Sequence, residues 1–471
     1  MDNSVQPQPY GIKNVPLKTK LVFASGMFGT QIYNGIMITS TAWFWLNIMG
    51  IDNFFYSIFM LVIYNLWNAI NDPILGWVSD NTRTRWGRRV PFIRLFSPIW
   101  FVAHVLLFLP AAETDLGLII WFVVVLLAFD GCYTMVSSAN NALLGELSFD
   151  TKERASINTI AMIWGALGNG VAFLGPMIFK ENIYAFQTFV VVGGIAALIA
   201  LLIPGFMIKE RIIPPEETRL GLWDSLVSSI KNKPFMAFVG WYFAVEFTTA
   251  VIFSTLIFYS TFVLQVGSLE STLLMLIFVV FAAPGFPIFF KMQDKYGLRI
   301  TVIVATAILA FGFLMLVFVE SFLLVVIFIG IAGFGGASPL MFRNVMIVEA
   351  SDWDELKTNR RREAMFFGTN ALLTKPAIGL AQALLAITLA LTGFRNDAVD
   401  SSTGDVIHFA QPAEAILGIK LVMGLFPFLL LVLLGIVSLY FYPSKKETEV
   451  MKEKLRVLHQ QKEQKIQDTE K

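Results

Sequence analysis

Long apolar stretches, separated by short polar segments, run through almost the whole chain. A helix needs about 20 mostly apolar residues to cross a bilayer. Many of the stretches exceed that length, which predicts tilted helices or helices that extend beyond the membrane. We therefore predict an all-α membrane protein with twelve transmembrane helices, called spans one to twelve. They lie near 21–48, 55–79, 91–111, 117–145, 156–179, 184–207, 235–264, 270–290, 300–319, 322–348, 365–393 and 413–442.

Composition agrees with this pattern. Of 471 residues, 56% are hydrophobic and only 15% are charged, whereas about 25% of residues are charged in soluble domains. Charge this sparse cannot cover several water-soluble domains, and 44 Phe with 11 Trp exclude disorder. The formal net charge of +1 provides no field for nucleic acid. The lipid bilayer is the predicted partner, and no nucleic acid is expected.

Reactive side chains do not form a recognisable enzyme motif. The single cysteine, Cys132, cannot form an intramolecular disulfide, and the three histidines lack metal-ligand spacing. We find no phosphate-binding loop and no arrangement typical of nucleophilic catalysis. The sequence therefore predicts a protein that is not an enzyme, without cofactor or resident metal. An ion gradient would supply the energy for any active process.

The distribution of Lys and Arg predicts the orientation. Excess basic residues mark cytoplasmic loops, and the opposite loops carry only Lys180 and Arg395. Both termini are therefore predicted to be cytoplasmic, in a multi-pass protein of the cell (plasma) membrane. The first 20 residues are polar and do not resemble a signal peptide. The basic loops contain Arg83, Arg85, Arg88 and Arg89, Lys152 and Arg154, the segment from Lys209 to Lys233, Lys291, Lys295 and Arg299, and Lys357 with Arg360 to Arg362.

The longest charged interior segment divides the chain into two halves of six spans. We predict a first half over 1–208, a cytoplasmic linker over 209–234 and a second half over 235–443. Residues 222–232 of the linker have the pattern of a short amphipathic helix on the inner membrane surface. The charged, Gln-rich tail over 444–471 is predicted to be a solvated cytoplasmic helix or a disordered segment.

A motif repeats at the same place in each half. The second span ends in ILGWVSDNTRTRWGRR (74–89), and the eighth ends in IFFKMQDKYGLR (288–299). Each motif has an Asp, then a Gly (Gly87 or Gly297), then Arg. Duplicated six-helix halves are the architecture of the major facilitator superfamily, in which the repeats surround a substrate site at the membrane midplane.

The repeated motif also predicts a conformational lock. Gly76 and Asp80 are four residues apart and therefore share one helix face. The Asp80 carboxylate can accept hydrogen bonds from a neighbouring helix N-terminus and pair with Arg88 or Arg89. Asp294 is the equivalent residue in the second half. The alternative is that these charges only set the orientation.

Three motifs carry a family resemblance. WNAINDPILGWVSDNTRTRWGRR (67–89) closely resembles the signature of the glycoside–pentoside–hexuronide:cation symporters, the family of the melibiose permease. DWDELKTNRRREAMFFGTNALLTKPAIGL (352–380) and ALLGELSFDTKERA (142–155) resemble two further segments of that family. The resemblance implies a monomeric secondary active transporter that carries a sugar or glycoside with a cation by alternating access.

Four charges fall inside predicted spans. A charge at the bilayer centre costs about 2.5–3.5 kcal/mol on insertion scales, which makes each one a functional candidate. Asp72 precedes Pro73 in span two and is the candidate for cation coupling. Asp130, Glu246 and Lys375 lie in spans four, seven and eleven and are candidates for substrate binding. The alternative for each is a paired, structural charge.

The resemblance assigns a cation pocket. In the family it consists of two carboxylates one helical turn apart on span two and a threonine on span four. Asp72 and Thr134 match two of these positions, but Asn68 stands at the other carboxylate position. A single carboxylate favours a proton as coupling ion or weakened coupling. Transient Na⁺ at Asp72 remains compatible, because the Asn68 carbonyl can be a ligand.

The predicted sugar site departs from the family as well. The family's carboxylates and aromatic ring on spans one and four correspond to Gln31, Ser137 and Asn141. These residues, and Asn34 nearby, are uncharged, although amides can still donate to and accept from hydroxyl groups. A different cargo such as a lysolipid, or an uncoupled facilitator, is therefore a second interpretation. A non-transporting membrane sensor is a third.

Overall fold

The computed structural model describes residues 15–68, 70–71, 75, 78, 84, 86–87, 89–147, 151–208, 229–358 and 363–469. Within these ranges, eleven helices are long and apolar enough to cross a membrane. The predicted all-α membrane architecture is therefore confirmed. Part of span two, predicted over 55–79, lies outside the described residues. The eleven helices are Leu17–Ile48, Val90–Phe108, Asp115–Asn141, Ser156–Phe179, Ile183–Met207, Lys233–Val263, Ser268–Tyr296, Leu298–Met315, Phe322–Thr358, Gly368–Leu391 and Ala413–Tyr440.

Several helices are interrupted or widened along their length. The α-helical segments are Leu17–Ala42, Asn53–Ile58, Val90–Phe108, Asp115–Leu147, Thr151–Phe179, Ile183–Met207, Lys233–Phe258, Ser268–Val280, Gly285–Tyr296, Leu298–Met315, Phe322–Thr358, Glu363–Thr374, Pro376–Leu391, Ala413–Lys420, Phe426–Leu430, Val437–Tyr440 and Lys445–Thr469. Wider π-helical turns occupy Trp43–Ile48, Phe59–Tyr64, Tyr259–Val263, Leu421–Leu425 and Leu431–Ile436. Two short antiparallel strands, β1 (Ala398–Val399) and β2 (Val406–Ile407), pair in the loop between spans eleven and twelve.

The chain forms two compact units, and each takes one segment from the other half of the sequence. The described residues of the first unit lie in 15–51, 66–208 and 396–408. Those of the second unit lie in 52–65, 229–395 and 409–469. The first part of span two therefore packs with the second unit, and the loop between spans eleven and twelve packs with the first.

Small residues allow close helix packing in the first unit. A Cβ added at Gly29 of span one would lie 2.6 Å from the Ala197 carbonyl oxygen of span six. One added at Gly168 of span five would lie 2.5 Å from the Phe28 carbonyl oxygen. Tyr33 also ties span one to span six, because its hydroxyl donates to the Gly194 carbonyl at 2.8 Å. Span one therefore packs tightly against spans five and six.

The second unit uses the same device. A Cβ added at Gly335 of span ten would lie 2.5 Å from the backbone nitrogen of Leu309 in span nine. One added at Gly379 of span eleven would lie 2.6 Å from the Met60 carbonyl oxygen. The Tyr56 hydroxyl donates to Oε1 of Gln382 at 2.5 Å, and both side chains are buried. The first part of span two is thereby fixed against span eleven.

Both glycines of the repeated motif have positive φ angles. Gly87 has φ +107° and Gly297 has φ +85°, values that side chains rarely tolerate. Gly87 closes a tight turn with Thr84, and Gly297 joins the helices on either side of it. The duplication seen in the sequence therefore has a backbone counterpart.

Two helices extend beyond the predicted spans. Span ten continues as one helix to Thr358, and the tail forms a helix over Lys445–Thr469. Glu349, at the end of span ten, accepts a hydrogen bond from the Tyr442 hydroxyl at 3.0 Å and pairs with Lys452 at 3.2 Å. Part of the tail is therefore a packed helix. The amphipathic helix predicted over 222–232 lies mostly outside the described residues.

Candidate functional site: a buried polar cluster between spans two and four

A polar cluster joins spans two and four inside the first unit. The Asn71 amide group donates to Oδ2 of Asp130 at 2.9 Å and to Oγ1 of Thr134 at 3.2 Å. All three residues are buried, with exposed fractions of 3%, 2% and 4%. Asp130 and Thr134 share one face of span four because they are four residues apart. The structure therefore joins a residue predicted for the substrate, Asp130, to one predicted for the cation, Thr134.

The cluster offers oxygen atoms suited to a small hard cation. Asn71 uses its amide nitrogen for both hydrogen bonds, and its buried Oδ1 has no hydrogen-bond partner among the described residues. A buried polar atom without a partner is costly and calls for a functional explanation. Carboxylate, amide and hydroxyl oxygens are the usual ligands of hard cations. The donor set here is mixed, because it consists of one carboxylate, one amide and one hydroxyl group. In the described part of the chain, no three His, Cys, Asp or Glu side chains gather into a metal cluster.

The other two residues predicted for the cation, Asn68 and Asp72, belong to predicted span two. Asn68 is buried, with 7% of its surface exposed, and precedes Asn71 by three residues on the same helix face. Asp72 lies outside the described residues. Sequence reasoning missed Asn71, which directly precedes Asp72 and follows Asn68 by three residues in the motif WNAIND. The density of amide and carboxylate groups in that motif was the available signal.

The uncharged substrate candidates lie on spans one and four of the same unit. Gln31 is half-buried against span five, where a Cβ added at Gly168 would lie 3.2 Å from its Cβ. Asn34 is also half-buried. Ser137 is half-buried and Asn141 is exposed, and both continue the helix face of Asp130. Among the described residues, none of these four side chains has a hydrogen-bond partner.

Two charged candidates lie in the second unit. Lys375 is half-buried and lies where the helix of span eleven is interrupted. The interruption arises because Pro376 lacks the backbone N–H that would continue the helical hydrogen bonds. Glu246 is half-buried in span seven and pairs with no other described side chain. An intramembrane carboxylate without a described partner is typical of a functional position.

Sequence reasoning missed one further charge in the second unit. The Arg343 guanidinium lies 4.7 Å from the centre of the Tyr242 ring, in a cation–π contact between spans ten and seven. Arg343 is exposed even though it lies within an apolar stretch. A basic residue inside a predicted span was the signal that could have identified it.

The predicted lock is described only in part. Gly76, Asp80 and Arg88 lie outside the described residues. Arg89 is half-buried just before span three. Asp294 is exposed, and its backbone carbonyl accepts a hydrogen bond from Nζ of Lys445 at 2.7 Å. The structure thus connects the second copy of the motif to the tail helix.

Comparison with known proteins identifies the family. Residues 22–446 match the family described as MFS/sugar transport protein. The chain belongs to this family. The family resemblance predicted from the motifs is thereby confirmed: the protein is a multi-pass membrane transporter and not an enzyme.

Two of three relatives of this transporter have a cargo in their names, and the two cargoes differ. It is 22% identical to the uncharacterized symporter YnaJ of Bacillus subtilis, over 94% of this chain and 95% of the relative. It is 21% identical to the sodium-dependent lysophosphatidylcholine symporter 1 of Xenopus tropicalis, over 91% of this chain and 87% of the relative. It is 23% identical to the glucuronide carrier protein homolog of Escherichia coli, over 84% of this chain and 86% of the relative.

A solved structure supports the fold alone. The transporter aligns with a bacterial homologue of the human lysosomal transporter Spinster at a TM-score of 0.61 and 14% identity. The alignment covers 90% of this chain and 96% of that chain. Such low identity transfers the major facilitator fold and no cargo.

Proposed function

We propose that the transporter is a sugar or glycoside symporter that uses the cation gradient across the cell membrane. It would work as a monomer by alternating access, without a cofactor. Sodium is the coupling ion that we favour, with a proton as the alternative. The observation that carries this proposal is the buried cluster of Asn71, Asp130 and Thr134.

The cluster changes the expected charge of the cation pocket. Asn68 removes one carboxylate from span two, but Asp130 supplies another through its hydrogen bond with Asn71. Asp72 and Asp130 would together provide two negative charges. The hydration shell of Na⁺ would then be replaced by the carboxylate oxygens of both residues, together with Oδ1 of Asn71 and the hydroxyl of Thr134. A proton would need only one of the carboxylates.

Cation binding would be coupled to substrate binding through these side chains. When a cation neutralises the Asp130 carboxylate, it changes the electrostatics of the helix face that continues to Ser137 and Asn141. A cation that stabilises the conformation with high substrate affinity must itself bind more tightly when substrate is present. This reciprocity converts an ion gradient into substrate accumulation.

Amides and hydroxyls would recognise the sugar. Gln31, Asn34, Ser137 and Asn141 can each donate to or accept from sugar hydroxyls. In the second unit, Lys375 and Glu246 would supply charges for a polar cargo. The relative named as a glucuronide carrier protein homolog supports a sugar-like cargo.

A lysolipid is the second candidate cargo. An apolar cavity of about 360 Å³ lies beside Asn71 and is lined by Trp67, Ile70, Leu75, Phe96, Leu127 and Cys132, among others. Such a cavity can take an acyl chain next to a polar head group. The relative named as a lysophosphatidylcholine symporter supports this candidate.

Uptake into proteoliposomes tests the proposal. Labelled glycosides, pentosides, hexuronates and lysophosphatidylcholine would each be offered with a sodium gradient, a proton gradient or neither. Accumulation of one sugar with the sodium gradient is expected. Proteoliposomes with Asp72→Asn would equilibrate that sugar without accumulating it.

Other outcomes would redirect the proposal. Accumulation with the proton gradient alone would replace sodium by a proton. Equilibration under all gradients would indicate an uncoupled facilitator. Flux of lysophosphatidylcholine without flux of any sugar would contradict the sugar cargo and favour the lipid.

A further inference from the structure

The loop between spans eleven and twelve is bonded to the first unit although both of its ends continue into the second. Residues Asn396–His408 belong to the first unit, whereas the preceding Arg395 and the following Phe409 belong to the second. Gln411 closes the base of this loop: it accepts from the Arg395 backbone N–H at 2.8 Å and donates to the Arg395 carbonyl at 2.7 Å. These two hydrogen bonds hold the ends of the loop together and limit how far it can extend.

The first anchor of this loop is a reciprocal pair with span one. The amide group of Asn47 donates to Oδ2 of Asp397 at 2.7 Å, and the backbone N–H of Asp397 donates to Oδ1 of Asn47 at 3.0 Å. Both residues are buried, with exposed fractions of 0% and 7%. Breaking the pair without solvating it would leave buried polar groups without partners.

The second anchor is the turn between spans five and six. The Asn182 amide group donates to Oδ1 of Asp405 at 2.8 Å, and the Val406 backbone N–H donates to the Glu181 carbonyl at 2.9 Å. The two anchors hold both strands of the loop. Further hydrogen bonds join the pairs Ile183 and Gly404, Asn182 and Thr403, and Tyr184 and Ser401.

His408 connects the two anchors. Its Nδ1 lies 2.7 Å from Oδ2 of Asp397, and its Nε2 lies 3.0 Å from Oε2 of Glu181. A carboxylate only accepts hydrogen bonds, so both ring nitrogens carry a proton in this arrangement and the ring is positively charged. A neutral ring would turn a lone pair toward one of the carboxylates.

The charges around His408 balance when it is protonated. Lys180, which is 1% exposed, lies 3.5 Å from the other oxygen of Glu181. The two positive charges of protonated His408 and Lys180 therefore balance the two negative charges of Glu181 and Asp397. Asp405 of the same loop is instead hydrogen-bonded to the Asn182 amide group. Loss of the proton on His408 would leave the cluster of Lys180, Glu181, Asp397 and His408 with net negative charge, part of it buried.

We propose that residues Asn396–His408 form a proton-controlled latch on the first unit, closed while His408 is protonated and released when it loses that proton. Because the ends of the latch continue into spans eleven and twelve, the closed latch limits how far these spans can move from Asn47 and Glu181. On the orientation predicted from Lys and Arg, the latch faces the outside of the cell. External pH would therefore control this restraint.

The direction of the pH effect follows from the partners of His408. Burial alone would lower the pKa of His408, but the hydrogen bonds to Asp397 and Glu181, and the charges of both, raise it to about 9. The free energy that His408 contributes to docking is therefore complete below its ordinary pKa of 6.5 and is lost as the pH rises through about 9.

Glu181 limits docking at the acidic end. The hydrogen bond from His408 lowers the pKa of Glu181 below its ordinary value of 4.5, and burial only partly opposes this effect. The contribution of Glu181 is present above pH 4.5 and is lost as the pH falls through the lowered pKa. Docking should therefore be strongest between about pH 4.5 and 6.5.

Hydrogen–deuterium exchange of the full-length transporter in lipid nanodiscs tests the latch without knowledge of the cargo. Exchange of the backbone N–H groups of Asp397 and Val406 would be followed from about pH 6 to 10 and corrected for the intrinsic exchange rate. In the wild type, protection should fall by up to about tenfold per pH unit between about pH 7 and 9. Amides within span six over 190–207 serve as the internal control for folding, because the N–H of Ile183 at the start of this helix is itself bonded to Gly404 of the latch.

Two variants make the test specific. In His408→Gln, protection of the latch should be low at all pH values. In Asp397→Asn, the pH midpoint for loss of protection should move toward 6.5, the ordinary pKa of His408, because one carboxylate partner is lost. Glu320→Gln, which removes the ion pair with Lys420 elsewhere, should retain the wild-type pH response.

Three results would overturn the latch. The first is wild-type protection that stays constant across this pH range, and the second is full protection in His408→Gln at pH 6.5. The third is an unchanged midpoint in Asp397→Asn, which would mean that the ring is not controlled by this carboxylate.

Discussion

Asn71 and Asp130 form a buried hydrogen bond of 2.9 Å between spans two and four of the first unit. The same amide group also reaches Thr134, so one side chain orients both the carboxylate and the hydroxyl. The sequence analysis assigned Asp130 to the substrate, whereas our proposal assigns it to the cation on the basis of this hydrogen bond, and the first two predictions test that assignment.

Asp130→Asn should abolish accumulation while leaving equilibration of the substrate intact, because the neutral side chain keeps its size but cannot balance a cation. Coupling free energies between sites typically correspond to 5–150-fold changes in affinity. We therefore expect the accumulation ratio in proteoliposomes with an ion gradient to fall by about tenfold or more.

Asp115→Asn is the matched control, since Asp115 is an exposed acid at the start of the same helix. It should retain wild-type accumulation. Full accumulation in Asp130→Asn would remove Asp130 from the coupling site.

Asn68→Asp should strengthen sodium dependence. The change adds a carboxylate at a buried position on the face of span two that carries Asn71. We expect a several-fold lower sodium concentration for half-maximal uptake, measured at fixed substrate. Asn68→Gln, which adds no charge, should not lower that concentration. An unchanged ion preference in Asn68→Asp would show that our assignment of the cation pocket is wrong.

Lys375→Ala should weaken substrate binding. Lys375 lies at the helix interruption before Pro376, and its truncation deletes a charged donor inside the membrane. Substrate affinity of the purified protein, measured by calorimetry, should fall by about tenfold. Lys291→Ala, which changes an exposed lysine, is the control. Unaltered affinity in Lys375→Ala would exclude Lys375 from the site.

Glu246→Gln separates a functional charge from a structural one. Glu246 pairs with no other described side chain, so neutralising it removes a desolvation cost. We expect thermal stability in detergent to be unchanged or higher, while substrate transport falls. Lower stability with normal transport would identify Glu246 as a paired, structural charge.

Gly297→Ala should destabilise the second unit. The backbone at Gly297 has φ +85°, and an added Cβ would lie 2.6 Å from Cβ of Lys445 at the start of the tail helix. With ψ 166°, this backbone conformation is one that glycine almost alone adopts, and it costs about 1–3 kcal/mol for a residue with a side chain. Thermal unfolding should show this loss.

The control for this substitution is Gly170→Ala, because a Cβ at that helical position meets no atom of the described residues within 4 Å. It should leave stability unchanged or raise it by about 0.4–1 kcal/mol. Equal stability of Gly297→Ala and the wild type would contradict the close approach of the tail helix.

The sequence alone was sufficient to predict where the membrane spans lie. An apolar stretch in lipid must form a helix, because exposing its polar backbone groups to lipid is costly. Spans three and six, predicted at 91–111 and 184–207, are helices at Val90–Phe108 and Ile183–Met207. The repeated glycines were predictable for a similar local reason, since a turn with positive φ selects glycine. The motifs of spans two and eleven were long enough to indicate the family.

The assembly of the site and of the latch depended on tertiary structure. Asn71 meets Asp130 across 59 positions of sequence, and Asn47 meets Asp397 across 350. Hydropathy specifies which residues enter the membrane, but it is a local property and does not specify which helix faces meet. Helix packing decided those partners, because a buried amide or carboxylate must find hydrogen bonds wherever the fold brings another polar group within reach.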